Sequence, residues 1–121
     1  MALVKFADAV VTVQDFTDDK EIVTDALDHL RAFGQTRLYD AIRKGMALAR
    51  HESGYRRAVI VLSDGLDNAS TETPDTLMEF FRDEVLAKNE SFSVFTLGLG
   101  DQIDVNGLTY VADGTGGMFF E

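Results

Sequence analysis

The chain contains no cysteine, so disulfide bonds, thiolate metal sites and cysteine nucleophiles are excluded. This absence is typical of a reducing compartment and slightly favours the cytoplasm, without excluding other locations. Pro74 is the only proline, and nothing indicates an interdomain linker, so residues 1–121 are expected to form a single domain. No apolar run approaches the roughly 20 residues of a membrane-spanning helix, and the start of the sequence lacks the features of a signal peptide.

Basic residues are also scarce. Lys and Arg together number 11, against 21 Asp and Glu, which gives a formal net charge of −10. A surface of this charge repels phosphate backbones and anionic lipids, which argues against nucleic-acid and membrane-surface partners. It is compatible with cations as ligands, although a solvated acidic surface is the commoner interpretation.

The order of the predicted elements is that of an α/β protein. Residues 3–7 and 10–14 are apolar and β-branched and predict an antiparallel hairpin. The unbroken apolar run Ala58–Leu62 predicts a strand buried on both faces of a parallel sheet, and Phe92–Leu99 predicts another buried strand. Helical patterns alternate with these strands. We therefore expect a Rossmann-like, doubly wound, mostly parallel sheet, covered on both faces, with the hairpin at one edge.

Capping patterns mark where two of the helices begin. Asp18 and Glu21 have the spacing of a capping box and predict the start of the first helix. Thr73 followed by Pro74 predicts an N-cap with proline in the first helical position, where its missing N–H is not needed.

Two oxygen-bearing residues are candidates for a site. Asp64 follows the predicted strand Ala58–Leu62 after a single serine, and ligands of such sheets bind at the carboxyl ends of the strands. It could equally be a turn residue, because Asp-Gly is a common turn pair. Thr36 precedes the second predicted helix, where a plain N-cap is the commoner role and a hydroxyl offered to an ion is the alternative.

Hydrolase signatures are missing. No serine stands in a Gly-x-Ser-x-Gly elbow, and the two histidines, His29 and His51, form no metalloprotease pattern. These two hydrolase chemistries are therefore not expected.

Several segments, taken in order, resemble a von Willebrand factor type A domain. The match runs through nearly the whole chain, and its specificity comes from the ordered set rather than from any single motif. The segments that carry it are the hairpin, Gly34-Gln35-Thr36, Val59–Gly65 with its Ser-Asp-Gly ending, Phe95–Gly100 and Leu108–Phe119.

The resemblance implies a divalent-cation (MIDAS-like) site, usually filled by Mg²⁺, in which Thr36 and Asp64 are ligands and an acidic group of a partner protein completes the coordination. The family's third ligand motif, Asp-x-Ser-x-Ser, is missing from this sequence, and the segments begin at the family's second strand. We therefore expect Thr36 and Asp64 to lie together at the carboxyl edge of the sheet and to bind Mg²⁺ weakly, with a dissociation constant of roughly 10⁻³ M or above.

Three functions stay open. The first is a protein-interaction or adhesion-type module that uses the cation. The second is a structural or assembly domain independent of metal. The third, ranked last, is a phosphotransfer enzyme with Asp64 as acceptor, because no lysine stands at a predicted strand end to support that chemistry.

The resemblance also implies a missing central strand between residues 3–7 and Ala58–Leu62. Unpaired backbone groups there would each cost about 1–3 kcal/mol. Either the two flanking strands pair directly, or a second copy of the chain repairs the sheet. We favour a homodimer or a higher assembly.

Overall fold

The computed structural model describes residues 3–6, 10–28, 37–50, 57–63, 69–88, 92–100 and 102–121. The sequence-based candidates Thr36 and Asp64 lie outside the described residues, as do His29 and His51.

The predicted hairpin is confirmed. Strand β1 (Leu3–Phe6) pairs antiparallel with β2 (Val10–Gln14). The β-branched residues of β2 favour this extended pairing.

The predicted parallel sheet is also confirmed. Strands β3 (Ala58–Ser63), β4 (Ser93–Gly98) and β5 (Phe119–Phe120) lie in that order, and both neighbouring pairs are parallel. Because parallel neighbours end at the same edge of a sheet, the carboxyl ends of β3 and β4 adjoin.

Helices alternate with these strands. They are α1 (Lys20–Asp28), α2 (Leu38–Arg50), α3 (Pro74–Phe80) and α4 (Val105–Gly114). Helix α3 continues through a π turn, Phe81–Val85, into a 3₁₀ turn, Leu86–Lys88. None of the helices in the described part of the chain is long and apolar enough to cross a membrane.

The helix starts follow their capping chemistry, with one correction. Thr73 caps α3 and exchanges hydrogen bonds with Thr76 in a capping box, with Pro74 in the first position. At α1 the prediction of Asp18 as the cap is wrong, because Asp19 supplies the oxygen that accepts from the N–H of Glu21, at 3.0 Å. Both aspartates suit the role, and the register of the helix selects the second.

The core lies on one face of the parallel sheet. Helices α2, α3 and α4 pack there over Val61 and Val94. The fully buried side chains of these helices include Leu38, Ile42, Met46, Leu77, Leu108 and Val111.

On the opposite face the side chains of β3 are exposed, which departs from the expectation that this strand is buried on both faces. Ile60 and Leu62 of β3 are 64% and 58% exposed. Met118 and Phe120 are exposed as well, and Leu62, Leu97 and Phe120 align in register across the three strands. Within the described residues no helix covers Ile60 or Leu62, although the side chains are as apolar as those of a strand buried on both faces.

The two sheets stay separate. β1 pairs with β2, β3 pairs with β4, and no ladder joins β1 to β3 in the described part of the chain. Helix α2 contacts β1 as well as β3, so one helix spans both sheets. The alternative in which the flanking strands close up and pair directly is therefore wrong for this single chain.

Candidate functional site

The sequence predicts that the candidate residues lie at the carboxyl edge of the parallel sheet. Thr36 and Asp64 are not among the described residues, but their neighbours Arg37 and Ser63 are. Ser63 is the last residue of β3, and its carbonyl accepts a hydrogen bond of 2.9 Å from the N–H of Leu99, directly after β4.

The start of α2 is defined by Arg37. Its carbonyl accepts the first hydrogen bond of the helix, from the N–H of Ala41 at 3.0 Å. The residue that accepts this first bond occupies the N-cap position, which is Arg37 here.

Tyr39 ties the start of α2 to the segment that follows β4. The buried Tyr39 hydroxyl donates to Oδ2 of Asp104, and Oδ1 of Asp104 caps α4 by accepting from the N–H of Gly107 at 3.0 Å. A side chain at position 107 would overlap both the Tyr39 hydroxyl and the Asp104 carboxylate, so the contact requires glycine there. Because α4 follows the carboxyl end of β4, this contact sets the start of α2 at that same edge.

Asp40 ties the start of α2 to the segment before α3. Its Oδ1 accepts from the backbone N–H groups of Thr71 and Glu72, at 3.0 and 2.9 Å. Its Oδ2 accepts from Arg37 Nη1 at 3.0 Å, and its own N–H donates to Ser70 Oγ at 2.9 Å. The Asp40 carboxylate therefore joins Arg37 to Thr71 and Glu72, and the Asp40 N–H adds a bond to Ser70.

The Asp40 carboxylate is held in its ionised form. Burial alone would raise the pKa of Asp40, but hydrogen bonds from the N–H groups of Glu72 and Thr71, and from Arg37, outweigh it and lower the pKa. These donors occupy both oxygens of the carboxylate and stabilise its negative charge. It is a structural charge rather than a ligand for an incoming ion.

The donor chemistry of the candidates fits a hard cation. Thr36 offers a hydroxyl and Asp64 a carboxylate, and oxygen ligands of this kind suit Mg²⁺. The described residues contain no cluster of three or more histidine or acidic side chains that could hold a metal by themselves.

Sequence reasoning missed Tyr39, Asp40, Ser70 and Asp104. The only available pattern was Asp40 in the first turn of a predicted helix, where an acidic residue ordinarily interacts with the helix dipole. Nothing in the sequence pairs position 40 with position 71, because the hydrogen bond joins segments that only the fold brings together.

Comparison with known proteins identifies the family. A family model described as von Willebrand factor type A domain matches residues 1–66. No curated protein matches the chain.

Solved structures share the fold over 98% of this chain. Proximal thread matrix protein 1 from the mussel byssus, with a zinc-occupied MIDAS motif, aligns with a TM-score of 0.76 at 22% identity. A von Willebrand factor type A protein from Catenulispora acidiphila gives 0.76 at 20% identity. The SpRpn10 VWA domain gives 0.66 at 13% identity, and this chain covers 62% of it.

This chain spans only 29% and 28% of the length of the first two structures. The similarity to these structures establishes the fold, and the family model establishes the family. With residues 1–66 of the 121 matched and the parallel sheet, hairpin and alternating helices in place, the chain belongs to the von Willebrand factor type A domain family.

Proposed function

We propose that this chain is a protein-interaction module that binds an acidic group of a partner through a divalent cation held by Thr36 and Asp64. The observation that supports it most is the Tyr39–Asp104 hydrogen bond. It brings the start of α2, two residues after Thr36, to the carboxyl end of β4, and β3 ends beside it, one residue before Asp64.

The chemistry supports Mg²⁺ as the ion. A hydroxyl coordinates without adding charge, so a cation held by one hydroxyl and one carboxylate keeps affinity for a further carboxylate from the partner. The mussel protein carries zinc in its MIDAS motif. In this chain the absence of cysteine and the oxygen character of both donors favour the harder ion.

Affinity is expected to be weak. Two protein ligands replace few of the water molecules of Mg²⁺, which dehydrates reluctantly, so we expect a dissociation constant of roughly 10⁻³ M or above. Tight stoichiometric binding by the purified chain would show that further protein ligands contribute.

A matched pair of variants tests the site. In a Mg²⁺ titration followed by NMR, Asp64→Asn should abolish the shifts. Asp113→Asn should leave them unchanged, because Asp113 is an exposed residue near the far end of α4 and its loss changes the net charge equally. Equal affinity in the two variants would refute a site at Asp64.

Self-assembly is a second candidate function, supported by the uncovered sheet face. β3 is the outer strand of its sheet, its other edge is unpaired among the described residues, and Ala58–Ser63 contains no charged side chain. This edge, which has no ladder partner in the described part of the chain, and the exposed Ile60 and Leu62 belong to one strand, so a second copy of the chain could pair with the edge and cover the side chains at once. We propose a homodimer or a higher assembly formed through β3.

Light scattering after size-exclusion chromatography tests the assembly. Leu62→Lys should shift the particle toward the 13.3 kDa monomer. Leu86→Lys should not, because Leu86, 50% exposed against 58% for Leu62, is an exposed leucine on the 3₁₀ turn and not on the sheet. A stable monomer of the unaltered chain over a wide concentration range would refute assembly.

Catalysis has less support than either cation-dependent binding or self-assembly. At the described carboxyl ends of β3, β4 and β5 no lysine is present to support phosphotransfer to Asp64. A phosphorylation assay with a small phosphodonor addresses this third function.

A further inference from the structure

Asp40 makes contacts that a first-turn aspartate does not ordinarily make. An acidic residue near a helix N-terminus usually interacts with the N–H groups and dipole of its own helix. The Asp40 carboxylate instead accepts from the N–H groups of Thr71 and Glu72, more than 30 residues away. Its side chain is only 15% exposed, so this contact is part of the tertiary structure.

The two segments joined by Asp40 are those that lead to the candidate ligands. Arg37, which follows Thr36, pairs with Oδ2 of Asp40. Residues 70–72 belong to the connection that leads from Asp64 to α3, and they hydrogen-bond to Oδ1 and to the N–H of Asp40. The carboxylate therefore acts on both segments at once, through charge-assisted hydrogen bonds.

We propose that Asp40 is a positioning residue that sets the cation affinity of this edge by holding the two ligand-bearing segments together. The inference rests on the proposed function of Thr36 and Asp64. A site with few protein ligands depends strongly on the placement of those ligands, and loss of an outer partner typically weakens metal binding by about 10–100-fold. Asp40 contributes to affinity through Arg37 and residues 70–72.

Asp40→Asn in the full chain tests the inference. Asparagine keeps the shape and one acceptor oxygen but loses the charge and the second acceptor. We expect the apparent dissociation constant for Mg²⁺, from NMR titration, to rise about tenfold. Amide hydrogen exchange of Thr71 and Glu72 should accelerate even without Mg²⁺.

Glu84→Gln is the matched control. It also removes one negative charge from a residue paired with α2, by breaking the Arg50–Glu84 contact of 3.3 Å at the opposite end of the helix. The general attraction of the protein for cations changes equally in both variants. The control should therefore bind Mg²⁺ within about twofold of the unaltered chain, since only a positioning effect distinguishes the two ends.

Ser70→Ala gives a second, milder variant if Asp40→Asn folds poorly by circular dichroism. It removes the hydroxyl that accepts from the Asp40 N–H and leaves the Asp40 carboxylate in place, and a two- to threefold rise in the dissociation constant is expected. Unchanged affinity in a folded Asp40→Asn protein, with binding lost in Asp64→Asn, overturns this inference alone. No Mg²⁺ binding by the unaltered chain, or unaltered affinity in Asp64→Asn, overturns the proposed function together with it.

Discussion

The two ends of α2 are anchored by opposite kinds of contact. At its start, Tyr39 and Asp40 reach out to the segments that follow β4 and β3, through groups that are largely buried. At its end, Arg57 donates to the carbonyls of Ala49 and Arg50 at 3.2 Å, and Arg50 pairs with Glu84, whose side chain is 41% exposed. The start is fixed by hydrogen bonds to the carboxylates of Asp40 and Asp104. The end is fixed by arginines that bond to backbone carbonyls and to a partly exposed glutamate, so the candidate site adjoins the end that is held by carboxylates.

Loss of apolar packing is expected to produce the largest difference in the free energy of unfolding between variants at the two ends of α2. Leu38 is fully buried at the start of α2, whereas Leu48 is only half-buried near its end. We expect Leu38→Ala to lower the free energy of unfolding by about 2–5 kcal/mol, and Leu48→Ala by less than about 2 kcal/mol. Urea denaturation measures both, and equal losses would show that the start of α2 is not the better-packed end.

The Tyr39 contact provides a second test. Gly107→Ala places a methyl group against the Tyr39 hydroxyl and the Asp104 carboxylate, and we expect a loss of about 1–3 kcal/mol from the displaced pair. Gly114→Ala is the same change at the other end of α4, where the methyl meets only the flexible end of Met78. Thermal unfolding should separate the two variants, and similar melting temperatures would contradict a tight junction at Gly107.

Low pH should destabilise the folded chain by protonating Asp40 at the start of α2. Because its pKa is lower in the folded chain than in the unfolded one, the charge stabilises the fold above the unfolded value, about 3.9. That contribution is lost as the pH falls through the folded value. Unfolding followed from about pH 5 to about pH 2 should show a steeper decline for the unaltered chain than for Asp40→Asn, and parallel curves would contradict this assignment.

The smallest expected change in stability is for a substitution of Glu84, which pairs with the C-terminal end of α2. The side-chain hydrogen bond and charge of Lys88, together with Arg50, lower the pKa of Glu84. Lys88 and Glu84 are 53% and 41% exposed, and pairs of exposed side chains contribute little in water and are screened by salt. Glu84→Gln should leave the melting temperature unchanged in 0.5 M NaCl, and a clear drop there would show that this end is also fixed internally.

The sequence was sufficient to predict local structure wherever one segment determines its own conformation. Thr73 and Pro74 predict the start of α3, and the β-branched residues of β2 and β3 predict these two strands. The cap of α1 fell on Asp19 rather than Asp18 because adjacent aspartates are equally suited and only the helix register decides.

Prediction failed where two distant segments determine the outcome. The apolar run in β3 shows which side chains favour burial, but not whether another element covers them, so Ile60 and Leu62 were expected to be buried. The role of Asp40 depends on backbone N–H groups at positions 71 and 72, which carry no side-chain pattern that a sequence could display.

The uncharged strand at the sheet margin has a consequence for handling the protein. Six residues, Ala58–Ser63, carry β-favouring side chains without a single charge or proline, which is the composition of segments that seed aggregation. The net charge of −10 opposes this, because copies of the chain repel one another at low ionic strength. The colloidal stability of the protein is thus set by salt, and dilute low-salt buffer above the isoelectric point of about 4.5 should keep it in solution longest.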